Sequence, residues 1–318
     1  MRTTVRLMVV AILLTGMASL AQTQIPAVTH NTWTSGAAMP TAVFEPAVAV
    51  IKNQIYVVGG EGGGGPISDT QIYNPVANTW TSGPALPTNL NGGMGAAVKS
   101  IMYVIGGSTN GSQTQTNAVW AYNPKTKTWT TEAAMPTARQ DAAIAVVKNI
   151  IYVIGGYNAS EGGYLTTVES YNPATNTWTE EAPLLVAKGE IVAGVFGSKI
   201  VVPDGYTGTE FTGDTESYNT VTNAWTSLNP DPTARNSVCG GAISGLMYAA
   251  GGLASLQQPA LSVNESFSPS KNIWTTLAPM PTAALAPGPA VYKGQLYCFG
   301  GWTAYQGSVL DNVQIYQP

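Results

Sequence analysis

Tyr73-Asn74-Pro75-Val76-Ala77-Asn78-Thr79-Trp80 is the stretch on which the reading of this 318-residue chain turns. Its tryptophan belongs to a ladder: Trp33, Trp80, Trp129, Trp178, Trp225 and Trp274, spaced 47 or 49 residues apart. A second ladder pairs glycines at 59–60, 106–107, 155–156, 251–252 and 300–301, with Asp204-Gly205 standing in once. A third runs Tyr73, Tyr122, Tyr171, Tyr218, Phe267 and Tyr316. Each Trp precedes the second residue of a glycine pair by 27, and each third-ladder aromatic but Tyr316 precedes a Trp by 7. Only the stretch between the glycine pair and the aromatic varies, from 13 to 15 residues, so length changes are confined to one loop per unit.

Each unit reads as four strands. Small residues around Ala47 to Val50 form one, and Ile55-Tyr56-Val57-Val58, β-branched and aromatic, forms the next. Gln71-Ile72-Tyr73 is a third, stopped by Asn74-Pro75, and Thr79-Trp80-Thr81 is a fourth. Four short strands in about 50 residues are a propeller blade. The ends supply the count. Tyr316-Gln317-Pro318 opens a turn whose Trp is missing, and Thr29-His30-Asn31-Thr32-Trp33 supplies it. The expected fold is all-β, a six-bladed propeller over residues 22–318, its ring closed by an N-terminal strand that completes the C-terminal blade and removes an open edge.

Met135-Pro136-Thr137-Ala138-Arg139, Ile151 to Gly156, Tyr171-Asn172-Pro173 and Thr177-Trp178 show the unit most fully. In these elements the sequence resembles the kelch-repeat family, over essentially all of residues 22–318. Some kelch propellers resemble galactose oxidase, a copper-radical enzyme with histidine ligands; others resemble sialic-acid mutarotases, which need a carboxylate and cations at the ring mouth.

Residues 1–21 read as a signal peptide. Arg2 and Arg6 precede a mostly apolar run, Leu7 to Leu20, too short for a bilayer span, and Ser19 and Ala21 suit cleavage after position 21. The expected location is secreted or periplasmic, with no membrane anchor in the mature chain and a monomeric state. With 9% charged and 44% hydrophobic residues, the chain can bury a large core. A net charge of −4, and no basic run, argues against nucleic acid as a partner.

Catalytic groups are scarce. His30, the single histidine, falls at a turn position held elsewhere by Ala77, Thr126, Thr175, Thr222 and Lys271, so neither a Ser-His-Asp triad nor a multi-histidine metal site is expected. No cofactor or metal is expected. Cys239 and Cys298 replace small apolar residues of the first and second strands and are expected as buried free thiols; their neighbouring blades leave a disulfide open. Gly60-Glu61-Gly62-Gly63-Gly64-Gly65 fits a phosphate-loop pattern but opens no helix, because Pro66 follows. Asn110, Asn158 and Asn264 each begin an Asn-x-Ser sequon, relevant only where the host glycosylates exported proteins. Val202-Pro203-Asp204-Gly205 breaks the pattern. Its strand should be short, and Asp204 is either drift or a residue turned to the mouth.

The informative columns are those where the units disagree. One lead-in position reads Val43, Leu90, Arg139, Lys188, Arg235, Ala284; two residues on it reads Glu45, Gly92, Asp141, Glu190, Ser237, Ala286. After the glycine pairs come Glu61, Ser108, Tyr157, Tyr206, Leu253 and Trp302. A ligand mouth of Arg139, Asp141, Tyr157, Lys188, Glu190, Tyr206 and Arg235, with Trp302 across the ring, is the expected site, since variable loops on rigid scaffolds carry binding. The competing view is that each cation pairs with a neighbour such as Asp141 or Glu190. The expected function is non-catalytic binding of a protein or carbohydrate; the alternative is a sugar mutarotase or epimerase using Glu190 with Arg139 or Arg235.

Overall fold

The computed structural model describes residues 30–111 and 114–318. The expected leader, residues 1–21, lies outside them. Six four-stranded antiparallel sheets surround one channel, and in each the strands run in chain order outward from it, the last blade excepted. Blade one is Ala47–Ile51, Gln54–Val58, Thr70–Asn74 and Thr79–Gly83. Blade six takes Gly288–Tyr292, Gln295–Phe299 and Val313–Gln317 from the C-terminus and Thr32–Gly36 from the N-terminus. Trp33 pairs with Tyr316 there, as Trp80 pairs with Tyr73 in blade one. The first strands pack around the channel at close quarters. A Cβ on Gly95 would stand 2.5 Å from the Val48 backbone, so this glycine is what lets blades one and two approach.

The Asn and Trp ladders are a clamp between blades. In blade one, Trp80 Nε1 donates to the Ala37 carbonyl (2.9 Å), while Ala37 N–H and Tyr73 O–H both donate to Asn78 Oδ1 (2.6 and 2.7 Å). Asn78 reaches this place in the left-handed region, at φ 53°, which Asn tolerates. Asn176 with Trp178 holds Ala133, and Asn223 with Trp225 holds Ala182, in the same way. In the second blade Trp129 binds the Pro84 carbonyl. Pro84 has no N–H to give, and there the Asn is replaced by Lys127. The joined termini obey the same rule: Trp33 Nε1 donates to Ala278 O, and Ala278 N–H donates to Asn31 Oδ1. His30 is exposed on its turn, as the repeats imply, with Nδ1 2.5 Å from the Pro318 carbonyl oxygen.

One expectation about the core comes out differently. Cys239 and Cys298 are buried, but as a disulfide and not as free thiols. The first strand of blade five packs against the second strand of blade six, which brings the two columns together. Each Cys replaces a small apolar residue, and half of a buried disulfide does so equally well. Closing a 59-residue separation contributes about 4 kcal/mol by loop entropy. In blade four the first strand has 3 residues (Gly194–Phe196) and the second 4 (Lys199–Val202), so the strand before Pro203 is short as read. Asp204 does not face the mouth; it is fully buried.

Six backbone hydrogen bonds close a belt around one end of the channel. Each N–H of Glu45, Gly92, Asp141, Glu190, Ser237 and Ala286 donates to the carbonyl of its counterpart in the preceding blade, Glu45 to Ala286, over 2.7–3.0 Å. All six residues are left-handed, with φ between 52° and 62°. For five non-glycine residues that conformation costs about 1 kcal/mol or more apiece, a cost the belt's hydrogen bonds offset.

Ring closure by the termini has a direct consequence. Deleting residues 25–38 removes Trp33 and leaves Val313–Gln317 as an open edge. Trp33 is partly buried against Tyr316 and donates to the Ala278 carbonyl, so its loss adds to the cost of the open edge. The truncated protein is expected to melt at least 10 °C lower or to be insoluble; melting with the full chain would show that the termini do not close the ring.

Candidate functional site

The lead-in loop of each blade carries the belt residue, and the residue before it is bridged to the one after the glycine pair: Phe44 with Glu61, Asn91 with Ser108, Gln140 with Tyr157, Gly189 with Tyr206, Asn236 with Leu253, Leu285 with Trp302. Two of the variable columns are thereby fixed side by side as one rim.

The third column is not on it. Arg139, Lys188 and Arg235 are fully buried, so the expected cationic mouth is corrected. Each cation turns into its own blade. Arg139 pairs with Glu169 and donates to the Thr167 carbonyl (2.9 Å). Lys188 Nζ lies 3.3 Å from Glu216, and Arg235 Nη1 2.5 Å from Glu265. Pairing with a neighbour is right in kind, but the partners are third-strand glutamates and not Asp141 or Glu190. The sequence carries the signal. The third-strand column reads Gln71, Trp120, Glu169, Glu216, Glu265, Gln314, acidic only where the lead-in column is cationic. Where that column is apolar, Gln71 and Gln314 bond the Thr41 and Thr282 backbones instead.

What faces the channel is acidic. Glu45, Asp141, Glu190 and Ser237 line one end of a cavity of about 580 Å³ whose wall is otherwise small and apolar, with Val48, Gly95, Ile144, Val195 and Ala242. The three carboxylates are half-buried and each is held by a donor. Asn91 Nδ2 donates to Glu45 (2.8 Å) and Gln140 Nε2 to Asp141 (2.6 Å). Glu190 accepts from Tyr164 O–H (2.9 Å), Asn236 Nδ2 (2.5 Å) and Ser237 O–H (2.9 Å). Gly92 leaves the space that Asp141 fills, for a Cβ there would stand 2.6 Å from Asp141 Oδ1. Burial, and then the charge of neighbouring carboxylates, holds Glu45 well above the usual carboxylate range and pushes Asp141 up to about 7. Burial also raises Glu190, against the three hydrogen bonds it accepts. Tyr164, pushed up by burial and by Glu190, stays a phenol and a donor.

Aromatic rings flank these acids. Tyr157, Tyr164, Tyr206 and Phe211 follow one another in tilted and T-shaped contacts, with centroids 4.9–5.4 Å apart, and Phe44 stacks on Trp302 at 4.1 Å. Of the expected mouth residues, Asp141, Tyr157, Glu190, Tyr206 and Trp302 are on the rim; the three cations are behind it. Glu45, Glu61, Tyr164 and Phe211 belong to it and were not singled out. Glu45 and Glu61 stand in the same variable columns, whereas Tyr164 and Phe211 lie in the indel loop, where the repeats give no register. Among the described residues no three His, Cys, Asp or Glu are grouped so as to hold a metal ion.

The family model described as the KLHDC2/KLHL20/DRC7 Kelch-repeats domain matches residues 96–301, and the Kelch motif model matches residues 44–87. Among solved structures, the one described as "Structure of YjhT" is similar at 18% identity with a TM-score of 0.77, covering 88% of this chain and 96% of that one. That likeness is one of fold. No curated protein matches the chain.

The buried pairs make a testable statement. Arg139→Ala leaves Glu169 charged and unpaired in the interior, which costs about 3–5 kcal/mol. Adding Glu169→Gln, the residue type of blades one and six, is expected to recover most of that loss in urea unfolding. An Arg139→Ala protein as stable as the parent would return the guanidinium to the surface.

Proposed function

The chain belongs to the kelch-repeat family, and from that premise we propose that it is a binding propeller that takes a protein or carbohydrate ligand at the acidic, aromatic rim of its channel, outside the cytoplasm. The observation that carries this reading is the trio Glu45, Asp141 and Glu190. The belt points three like charges at one opening, held by Asn91, Gln140, Asn236 and Tyr164, at a cost in stability. Rigid scaffolds keep such groups where a ligand relieves them. An amine, a guanidinium or a set of sugar hydroxyls does so, while Tyr157 and Tyr206 offer flat apolar surface. The anionic ligand that a cationic mouth calls for does not suit this rim. An extracytoplasmic location is supported by the Cys239–Cys298 disulfide, a bond of oxidising compartments, and by the composition of residues 1–21.

A second reading, interconversion of sugar anomers, draws on Asp141, whose carboxyl sits near neutrality and so suits general acid–base work. Arg139 and Arg235 are not available to it, both being committed to buried glutamates. On this reading a bound sugar exchanges anomers faster with the protein present, as saturation-transfer NMR would register.

Paired glycan and cationic-peptide arrays test the proposal. The double variant Asp141→Asn/Glu190→Gln is expected to lose at least tenfold in affinity for whatever the parent retains. It should also melt higher at pH 8, by about 2–4 °C for each kcal/mol of relieved repulsion, and no higher below about pH 4, where the carboxyls are protonated in the folded and unfolded chain alike. A retained ligand indifferent to both substitutions would move the site away from the rim.

A further inference from the structure

Five of the six blade junctions carry the same apolar pair. The first glycine after the second strand corresponds in the repeat to a Met or Leu on the lead-in loop of the following blade: Gly59 to Leu86, Gly106 to Met135, Gly155 to Leu184, Gly251 to Met280, Gly300 to Met39. A Cβ on Gly106, Gly155 or Gly251 would stand 2.9–3.3 Å from that side chain. At the junction of blades four and five both members are acids, Asp204 and Asp231. They are 0% and 5% exposed.

Their surroundings are short of donors. Arg235 Nε lies 4.0 Å from Asp204 Oδ2, and Nη2 lies 3.2 Å from Asp231 Oδ2; its Nη1 is taken by Glu265 on the third strand of blade five. From blade four, Lys188 faces Asp204 but spends its hydrogen bond on the Asp214 carbonyl (2.7 Å) and its charge on Glu216, with the Asp214 carboxylate also near it. Two cations therefore stand against four buried carboxyl groups, Asp204, Asp231, Glu216 and Glu265. Neither oxygen of Asp204, nor Oδ2 of Asp231, receives a hydrogen bond from any described residue. Two carboxylates so placed cannot both ionise in a low-dielectric interior, and a proton between them supplies the missing donor. Burial, only partly offset by Arg235, pushes Asp204 up to about 7; burial and Asp204 push Asp231 up to about 9.

We propose that Asp204 and Asp231 share a proton and form a pH-operated latch between blades four and five. In the protonated state the pair fills the space of the Gly–Met pair and joins the two loops by a hydrogen bond. When the proton leaves, two charges face each other and the loops part. The same loops carry the partners of Glu190: Asn236 and Ser237 follow Arg235, and Tyr206, two residues after Asp204, packs on Tyr164 at 5.4 Å. Opening the latch therefore loosens the hold on Glu190; that this alters ligand binding rests on the binding function proposed above, but the latch itself does not. The direction is fixed by linkage. An unfolded Asp loses its proton near 3.9, while the folded pair keeps it to neutral pH and beyond. The stability it contributes is full below about pH 4 and is lost as the pH rises through about 7 and 9.

The test compares the full chain with Asp204→Gly/Asp231→Met, which writes the apolar pair of the other junctions into this one. Between pH 6 and pH 9 the parent's melting temperature is expected to fall about 5–10 °C further than that of the variant. Amide exchange, corrected for intrinsic rates, should rise over residues 203–212 and 229–237 in the parent alone. The rim carboxylates are common to both proteins and cancel from the comparison. Parallel melting curves for parent and variant would overturn the latch. Should the double variant not fold at pH 6, Asp204→Asn, the same shape with its own N–H donor, is expected to flatten the curve; a parent-like pH slope in that protein would overturn it equally.

Discussion

The belt of six hydrogen bonds from Glu45 round to Ala286 is the constraint on which the rest depends. It forces a left-handed backbone at one position per blade, and that conformation aims whatever side chain stands there at the channel. A closed ring of bonds has no frayed end, so no single blade can relax its position alone. Three of the six belt residues are acids, and the belt keeps them together despite their repulsion. Gly92 is part of the arrangement: its missing side chain is the space occupied by the Asp141 carboxylate.

Charge is sorted radially. The cations of the lead-in loops point into the blades and meet third-strand glutamates in the same blade. What remains toward the channel is carboxylate, amide and phenol. This sorting follows from two residues of separation on one loop, since Arg139 and Asp141, or Lys188 and Glu190, straddle a turn and so project to opposite sides. A buried cation without its glutamate costs several kcal/mol, which explains why the two columns change together from unit to unit. At the junction of blades four and five, Asp204 and Asp231 add further acid to an interior that the other five junctions keep apolar there.

The fold was legible because six registered copies of a weak pattern reinforce one another, and because the terminal fragments read through as one turn. The clamp of Asn78 and Trp80 on Ala37 gives that register its physical cause. The site was legible by column but not by burial. Sequence spacing put Arg139 and Asp141 in one loop, yet only the pairing with Glu169 reveals which of the two is outside. Comparing lead-in and third-strand columns would have found it. Cys239 and Cys298 stand in neighbouring blades, which left both states open, and only the packing of the first strand of blade five on the second strand of blade six decides for the disulfide. Tyr164 and Phe211 sit where units differ in length, and no register reaches them.

Native-state hydrogen exchange at pH 6, resolved at the amides of Glu45, Gly92, Asp141, Glu190, Ser237 and Ala286, tests most directly whether the belt is the element that fixes the rim. A closed belt predicts that all six amides exchange as one class, through an opening whose free energy matches global unfolding. One or more of the six exchanging orders of magnitude faster than the first-strand amides would show an open belt, and the carboxylate rim would lose its physical basis.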